Sequence, residues 1–325
     1  MQKRLYVIWI LLISGLSLVM AKGNGGFSGA FLRIGLGARA LAMGNAQVAS
    51  ANNGYGVYYN PAALPNIDRK RFSASYNSMS LDRKFSYLGV AIPLKPFAGA
   101  SAGWIHSGVG DLQAYNSNGE QVGKLDHGFN AFYFGFGMRI IALAQADQHL
   151  MGVPPDLISI GITVKFLHEG LSDQEDFDYS GSGVGVDLGI LLKPYAGLAL
   201  GYQLKDLNAN LSSNTDKIFE RGSSLNNDFP VTQKLGIFYR LPWYGISAAY
   251  DFEWSDAGEE KHHLGMEIDG GIAAARVGYD NDHLTLGGGL YFRAYKKAYM
   301  MLDYAFLNSV IDEGVSHVFS WQFLF

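Results

Sequence analysis

Apolar residues recur at every second position in long runs from Lys70 to the end of the chain. A period of two is that of a β-strand, whose successive side chains point to opposite faces. The runs are about 10 to 12 residues long, which matches the ~9–11 residues of a tilted membrane strand better than the ~5–6 of a globular one. One face is apolar and the other is small or polar, as in the run with Ile158, Ile160, Ile162, Val164 and Phe166 on one face. This pattern favours a transmembrane antiparallel β-barrel over a soluble β-sandwich, which would bury the apolar face.

Fourteen segments have this alternation, and single-chain bacterial barrels have an even number of strands. The predicted strands are 70–79, 84–94, 97–107, 128–140, 157–168, 182–193, 195–206, 230–241, 243–254, 262–269, 272–280, 283–293, 298–306 and 315–325. The long polar connections 108–127, 169–181 and 207–229 are expected on the outward side of the barrel, and tight turns on the opposite side. One exception is the connection 141–156, which is long but falls on the tight-turn side, with a short helix predicted from Ile141 to His149.

The first residues have the pattern of a secretory signal peptide. Lys3 and Arg4 precede an apolar run that ends at Met20, and Val19-Met20-Ala21 offers a small-residue cleavage site. The run is shorter than the ~20 residues of a membrane helix. We therefore expect residues 1–21 to be removed on export, residues 22–66 to form an N-terminal unit, and residues 67–325 to form the barrel. The expected location is the outer membrane of a Gram-negative cell, in contact with its lipid.

The segment from Gly29 to Leu64 is rich in small residues and has no sustained period of 3.6 or 2, so it indicates neither an ordinary helix nor a strand. Asn60 and Pro61 have the chemistry of a helix start, with Asn60 as the N-cap and Pro61 at the first helical position. Pro65 is expected to limit that helix to about one turn. A segment of this kind needs surrounding structure to hold it.

The same segment resembles the N-terminal signature of PorV/PorQ-type proteins, which belong to the FadL-like outer-membrane barrels. The matching residues are Arg33, Gly35, Gly37, Arg39, Gly44, Asn60, Pro61 and Ala62. Motifs of the last third are similar to the closing strands of the family, including those around Glu267, Tyr279 and Asp303. The resemblance implies an all-β transmembrane barrel of about fourteen strands with an N-terminal hatch, or plug, inside it.

The last strand alternates to the final residue and places four aromatic side chains on one face. They are Phe319, Trp321, Phe323 and Phe325. Termini of soluble proteins usually fray into water, whereas a strand that closes a barrel ends in this way. A terminal Phe also resembles the recognition signal of outer-membrane barrels, so the barrel-assembly machinery is an expected partner.

Composition argues against several functional classes. The chain has no cysteine, which excludes thiolate metal sites and cysteine nucleophiles, and its net charge of −4 gives no basis for nucleic-acid binding. The glycine-rich stretches lack the strand and long helix of a dinucleotide site. His262 and His263 would point to opposite faces of a strand, and the acidic stretch 173–178 lacks the spacing of a calcium loop. We expect no enzyme, cofactor or metal.

Charged residues recur on the predicted inner face of the strands. They are Lys165, Asp187, Lys205, Lys234, Asp251, Glu267, Arg276, Arg293 and Asp303. Because both signs occur together, we favour pairing across strands and to Arg33 and Arg39 of the hatch over an open polar conduit.

Three functional hypotheses remain at this stage. The resemblance implies an accessory role in type IX-like secretion and surface attachment, with secreted cargo or secretion-system proteins as partners. A FadL-like barrel could instead let a hydrophobic small molecule cross the outer membrane. The third hypothesis is an outer-membrane structural protein without transport of its own.

Overall fold

The structure is a computed structural model that describes residues 27–51, 53–116, 118–173, 178–214, 223–295, 298–308 and 314–325. The predicted signal peptide, the first residues of the predicted hatch and most of the acidic stretch 173–178 lie outside the described residues. Within the described ranges, none of the helices is long and apolar enough to cross a bilayer.

The described residues after the N-terminal part form sixteen strands, and the hydrogen-bonded sheet that they make is antiparallel. They are β1 Arg71–Ser78, β2 Lys84–Leu94, β3 Ala98–Tyr115, β4 Gln121–Arg139, β5 Ile158–Ser172, β6 Asp178–Tyr195, β7 Leu198–Leu207, β8 Asn210–Asn214, β9 Ser224–Asp228, β10 Thr232–Arg240, β11 Ile246–Ser255, β12 Glu260–Asp269, β13 Ala273–Asp280, β14 His283–Tyr295, β15 Ala298–Asn308 and β16 Val315–Leu324. Fourteen of them close into a barrel, because β1 pairs with β16 and β5 pairs with β6, while β8 and β9 form an added hairpin beside β6. The prediction of a fourteen-stranded antiparallel barrel is confirmed.

The three predicted outward connections were too long, because strand pairing continues into each of them. Residues 108–127 continue the β3–β4 ladder to the pair Tyr115 and Gln121, and residues 169–172 pair with 178–181. The connection 207–229 contains the β8–β9 hairpin. The prediction relied on alternating apolar residues, and these extensions lack them. Backbone hydrogen bonds between strands do not need such residues, so the pairing continues beyond the apolar part of the barrel. We call this end of the barrel the far rim, and the end where β1 begins and β16 ends the near rim.

The near rim carries the connection between β4 and β5. Its helix runs over Ile140–Ala146 and is shorter than predicted. This helix belongs to the connection 141–156, which the sequence pattern identified as unusually long for the side of the barrel that carries the tight turns.

The apolar side of the strands faces away from the closed sheet. Ile160 and Ile162 of β5 are 41% and 43% exposed, whereas Thr163 and Lys165 of the same strand are fully buried. No second sheet covers this outer face within the described residues, as it would in a β-sandwich. Phe319, Phe323 and Phe325 of the last strand are exposed on it, and Trp321 is half-buried there.

Residues 27–67, here called the N-terminal segment, are packed against the inner faces of the strands. The segment contains a 3₁₀ helix at Ala30–Arg33, α1 at Ala38–Ala42, α2 at Gly56–Tyr59 and a second 3₁₀ helix at Pro61–Asn66. Asn60 caps the last of these, since its Oδ1 accepts a hydrogen bond from the Ala62 amide over 3.0 Å. The expected stop before Pro65 was wrong, because a short 3₁₀ helix held on all sides tolerates the missing amide.

Candidate functional site

The interface between the N-terminal segment and the barrel wall is the candidate functional site, and glycines of the wall bring the two backbones into contact. A Cβ atom at Gly137 of β4 would overlap the carbonyl oxygen of Pro61. A Cβ atom at Gly201 of β7 would overlap the carbonyl oxygen of Val48. One at Gly265 of β12 would overlap the carbonyl oxygen of Met43. These positions need glycine because of the close approach, which leaves no space between segment and wall.

Polar side chains of the wall bind backbone groups of the segment. The Thr163 hydroxyl donates to the carbonyl of Val57 over 2.9 Å, and the Gln203 amide donates to that of Tyr58 over 2.8 Å. Asp251 Oδ2 accepts from the amides of Gln47 and Val48 over 2.7 and 2.9 Å. The segment has little regular structure of its own, so these bonds satisfy groups that would otherwise be buried unpaired.

One charged network joins α1 to four strands. The Arg39 guanidinium donates to both oxygens of Glu267 over 2.9 and 2.8 Å. Arg276 donates to the same carboxylate over 2.6 Å, to Asp303 over 2.8 Å and to the hydroxyl of Tyr291. Charge-assisted, two-pronged pairing of this kind is strong and directional. It fixes the orientation of α1 inside the barrel.

A second charged cluster forms on the opposite side of the barrel. The Lys165 ammonium lies 2.6 Å from Asp187 and 2.5 Å from Asp206, and all three side chains are buried. Asp206 and its neighbour Lys205 both face inward. The reason is a bulge near the end of β7, where Asp206 has a positive φ angle and the ladder with β6 shifts register. Lys205 lies over the ring of Tyr58 in the segment, 3.9 Å from its centre.

A third group of charges lies nearer the far rim. Lys234 pairs with Glu253 across β10 and β11. His263 Nδ1 lies 2.8 Å from Asp280 and 3.1 Å from the carbonyl oxygen of Gly44. His262 points outward, toward Tyr250, so the two adjacent histidines do lie on opposite faces.

Eight of the nine charged residues that we placed on the inner face are buried there, and Arg293 differs. It is exposed at the near rim, where β14 extends beyond the part of the wall that the N-terminal segment covers. The pairing of β14 with β15 shifts register directly after this residue. Sequence reasoning missed Asp206, Glu253, His263 and Asp280. The alternation could have found Glu253, His263 and Asp280, but it assigned Asp206 to the outer face because it cannot show a bulge.

The hatch-motif residues have structural positions within the segment. Gly35, Gly37 and Gly44 have positive φ angles of 93°, 79° and 61°, which other residues rarely adopt. Arg33 does not pair with a barrel charge as we expected. It donates to the carbonyls of Ser28 and Phe27, because the chain folds back at its own 3₁₀ helix.

The remaining motif residues are buried where the segment meets β4, β5 and β6. Asn60 donates to the carbonyls of Val48 and Ile190 over 2.8 and 3.1 Å. Pro61 and Ala62 lie against Gly161 of β5. Within the described ranges, no group of three or more His, Asp and Glu side chains is arranged to hold a metal ion.

Cavities lie on both sides of the segment. At the far rim, the first far cavity has about 320 Å³ and is lined by Ile34, Leu41, Met79 and Leu307 together with charged and amide side chains. A second one of about 270 Å³ lies beside Phe31 and Phe129. At the near rim, cavities of about 470 and 250 Å³ lie beneath the segment. The segment therefore separates two sets of spaces within the barrel.

Comparison with known proteins gives matches at the level of structure. No protein-family model matches the chain, and no curated protein matches its sequence. The Pseudomonas putida toluene transporter TodX is 14% identical with a TM-score of 0.59, over 89% of this chain and 96% of TodX. The CymD monoaromatic hydrocarbon channel is 11% identical with a TM-score of 0.61, over 90% and 98%.

A Pseudomonas aeruginosa FadL homologue is 9% identical with a TM-score of 0.56, over 86% of this chain and 95% of that protein. The comparisons do not show the PorV/PorQ family, which stays a prediction from the sequence. Identities this low establish the fold alone. The chain shares the fold of these three proteins, a closed antiparallel β-barrel.

Proposed function

We propose that this protein is an outer-membrane channel for small hydrophobic molecules, with the N-terminal segment as its plug. The observation that carries the proposal is the placement of the segment, which separates cavities at the two rims of a barrel whose outer face is apolar. TodX and CymD, which have the same fold, are named as a toluene transporter and a monoaromatic hydrocarbon channel. An analogous function here is a hypothesis supported by the fold.

The first far cavity is the proposed binding site for a molecule arriving from outside. Its volume is at the lower end of the range for small-molecule sites, which are typically about 300–1,000 Å³. Leu41 of α1 and Leu307 of β15 supply apolar surface. Asn45 and His263 supply polar groups, and charged side chains line the rest of the space: Arg33, Arg83, Glu253, Lys261 and Asp280. A single aromatic ring with a small substituent is the size of molecule that this space would hold.

The proposed orientation in the membrane follows from the lengths of the connections at the two rims. The near rim, with its short turns, faces the periplasm, and the far rim, with its long hairpins, faces outward. Residues 1–21 are the proposed signal peptide, 22–66 the plug and 67–325 the barrel. The terminal aromatic strand is the proposed signal to the barrel-assembly machinery, and bilayer lipid covers the outer face.

Uptake of labelled toluene by cells with and without this protein tests the proposal. We expect initial uptake to fall severalfold in the deletion strain. Leu307→Trp, which fills the first far cavity, should lower uptake by about fivefold, whereas Phe306→Trp on the outer face of the same strand should leave it unchanged. Equal uptake in the deletion and parent strains would overturn the proposal.

The resemblance of the hatch motif to PorV/PorQ-type proteins favours a second candidate, an accessory role in protein secretion. The same deletion strain separates the two. Surface proteins that accumulate in the periplasm, with toluene uptake intact, would support secretion. Loss of neither activity would favour a structural role in the outer membrane.

A further inference from the structure

The first far cavity and the smaller near cavity are aligned along two neighbouring strands. Met79 after β1 and Ser316 of β16 line the far cavity, while Arg71 and Leu324, at the other ends of β1 and β16, line the near one. Six inward-facing residues lie between them: Ser73, Ser75, Asn77, Val318, Ser320 and Gln322. We call this part of the interface the β16–β1 seam. It spans three inward positions of a strand, which is roughly 13 Å.

The seam holds the N-terminal segment differently from the rest of the wall. None of its six residues is a glycine, so at the seam side chains separate the backbone of the wall from that of the segment. On β12, in contrast, the two backbones are in contact at Gly265. The bonds to the segment are between uncharged groups. Ser320 accepts from the Ala38 amide over 3.0 Å, and Gln322 accepts from the Gly54 amide over 3.3 Å. Such bonds are weaker than the charge-assisted contacts made by Glu267 and Asp251.

Several polar atoms at the seam are buried without a hydrogen-bond partner. They are Oγ of Ser73, Oδ1 of Asn77, Nε2 of Gln322 and Nδ2 of Asn53 in the segment. A buried unpaired group of this kind costs about 1–3 kcal/mol. Separation of the segment from the seam would let each group bond to water or to a passing solute. Opening the seam therefore breaks hydrogen bonds between uncharged groups and gives these four atoms partners.

The lining of the seam also restricts what would pass. The six residues carry hydroxyl, amide and aliphatic groups and no ionisable side chain, and Leu41, Ala305 and Leu307 add apolar surface toward the far cavity. The wall on β5 and on β11 to β13, by contrast, presents Lys165, Glu253, His263, Glu267 or Arg276 to the interior. A charged solute would lose its hydration in the seam without a counter-charge, at a cost of several kcal/mol.

We infer that the N-terminal segment separates from the barrel along the β16–β1 seam, and that the passage takes uncharged molecules with an apolar body and a hydroxyl or amide group. This inference rests on the proposed function, whose substrate class and route it specifies. Phenol represents the class, and benzoate is its charged counterpart.

The first test uses the absence of cysteine from the chain. Ser75→Cys, at the centre of the seam, is compared with Thr163→Cys, an inward position on β5 that faces the segment; both residues are buried, with 8% and 0% of their surface exposed. Each full-length variant is treated with methanethiosulfonates that carry a hydroxyethyl, a sulfonatoethyl or a trimethylammonioethyl group, and labelling is followed by mass spectrometry. This readout needs no transport.

We expect the hydroxyethyl reagent to label Ser75→Cys about tenfold faster than Thr163→Cys, and about tenfold faster than the two charged reagents do. Equal rates at the two positions would overturn the route. Equal rates for neutral and charged reagents at Ser75→Cys would overturn the substrate class.

The second test uses two matched cross-links. A Cβ atom at Gly54 would lie 3.0 Å from the Cβ of Ser73 in the seam, and one at Gly236 of β10 would lie 3.1 Å from the Cβ of Val48. Both are slightly shorter than the ~3.5–4.5 Å of a disulfide, so both pairs need a small shift. At Gly236 the Asp251 side chain must also move aside, so the reduced form of each double-cysteine variant serves as its own reference. The two double-cysteine variants are oxidised with copper phenanthroline in cells, and uptake of labelled phenol, benzoate and toluene is measured.

We expect the Gly54→Cys/Ser73→Cys cross-link to lower phenol uptake by about tenfold, with recovery after dithiothreitol, and the Val48→Cys/Gly236→Cys cross-link to change it by less than about twofold. Equal effects of the two cross-links would overturn the inference while leaving the channel function in place. If unmodified protein raises uptake of neither toluene nor phenol, the channel function itself fails, and the labelling result alone then decides where the segment opens.

Discussion

The two faces of the barrel strands follow different rules, and β5 shows both in adjacent residues. Ile162 points outward and is 43% exposed, and its only requirement is an apolar side chain of moderate size. Thr163 and Lys165 point inward and are fully buried, and each has particular partners. Thr163 donates to one carbonyl of the segment, and Lys165 lies between two carboxylates.

This difference means that the outer face is specified by its surroundings and the inner face by contacts with one segment. A lipid-covered position tolerates any residue of similar polarity, because acyl chains adapt to its shape. An inward position is fixed by the atoms opposite it. Substitutions on the two faces should therefore differ in cost by an order of magnitude, which can be measured.

The largest effect is expected for Lys165→Met. The substitution leaves Asp187 and Asp206 buried side by side without their shared cation, and removal of one member of a buried charge cluster typically costs about 3–5 kcal/mol. The midpoint of urea unfolding in lipid vesicles measures the free-energy change.

Two controls accompany this variant. Val164→Met, at the adjacent outward position, should change the free energy of unfolding by less than about 0.5 kcal/mol. Adding Asp187→Asn and Asp206→Asn to Lys165→Met should restore most of the loss, because the unpaired charges are then gone. An unchanged midpoint for Lys165→Met alone would show that the cluster does not stabilise the barrel.

A smaller loss is expected for Gly137→Ala in β4. The added methyl group would overlap the carbonyl oxygen of Pro61, and a backbone atom cannot move aside as a flexible side chain can. Overpacking of this kind costs about 1–3 kcal/mol. Limited proteolysis of the N-terminal segment and urea unfolding should both detect it.

Gly123→Ala is the matched control on the same strand, because nothing lies within 4 Å of the added methyl group. It should leave both the proteolysis rate and the unfolding midpoint unchanged. If Gly123→Ala and Gly137→Ala behave alike, the glycines of the inner face do not serve close packing of the segment.

The outer face was more predictable from the sequence than the inner one. A period of two predicted the fourteen strands of the barrel and, except at the bulge near Asp206, the face of their side chains, because an apolar outer face requires alternation along the whole length of strand that it covers. The hairpin extensions to Tyr115 and Gln121 escaped this reasoning, since nothing requires alternation beyond the bilayer.

The partners of the inner face could not be predicted from spacing. That Arg39 pairs with Glu267, 228 positions away, depends on how the segment folds inside the barrel. The bulge that turns Asp206 toward Lys165 has no signature in the alternation. Glycines such as Gly137 were visible as small residues, but which backbone they would touch was not.

Asp251→Asn should have a moderate effect on the same interface. The carboxylate accepts two backbone amides of the segment through Oδ2, and the neutral amide keeps its shape but weakens both bonds, at a cost of about 1 kcal/mol. Hydrogen exchange at Gln47 and Val48 should accelerate by about fivefold. Asp256→Asn, at an exposed position after β11, should leave these amides unchanged, and unaltered exchange in Asp251→Asn would remove Asp251 as an anchor of the segment.

The smallest effect is expected for Ile162→Val on the outer face. In a protein core the loss of one methylene group costs about 0.5–1.5 kcal/mol, largely because a cavity remains. At a lipid-covered position acyl chains fill the space, so the cost should fall below about 0.5 kcal/mol. Thr163→Val, the next residue, keeps its shape but leaves the carbonyl of Val57 unpaired, so it should cost about 1 kcal/mol or more. If Ile162→Val proves as costly as Thr163→Val, a protein surface rather than lipid covers the outer face.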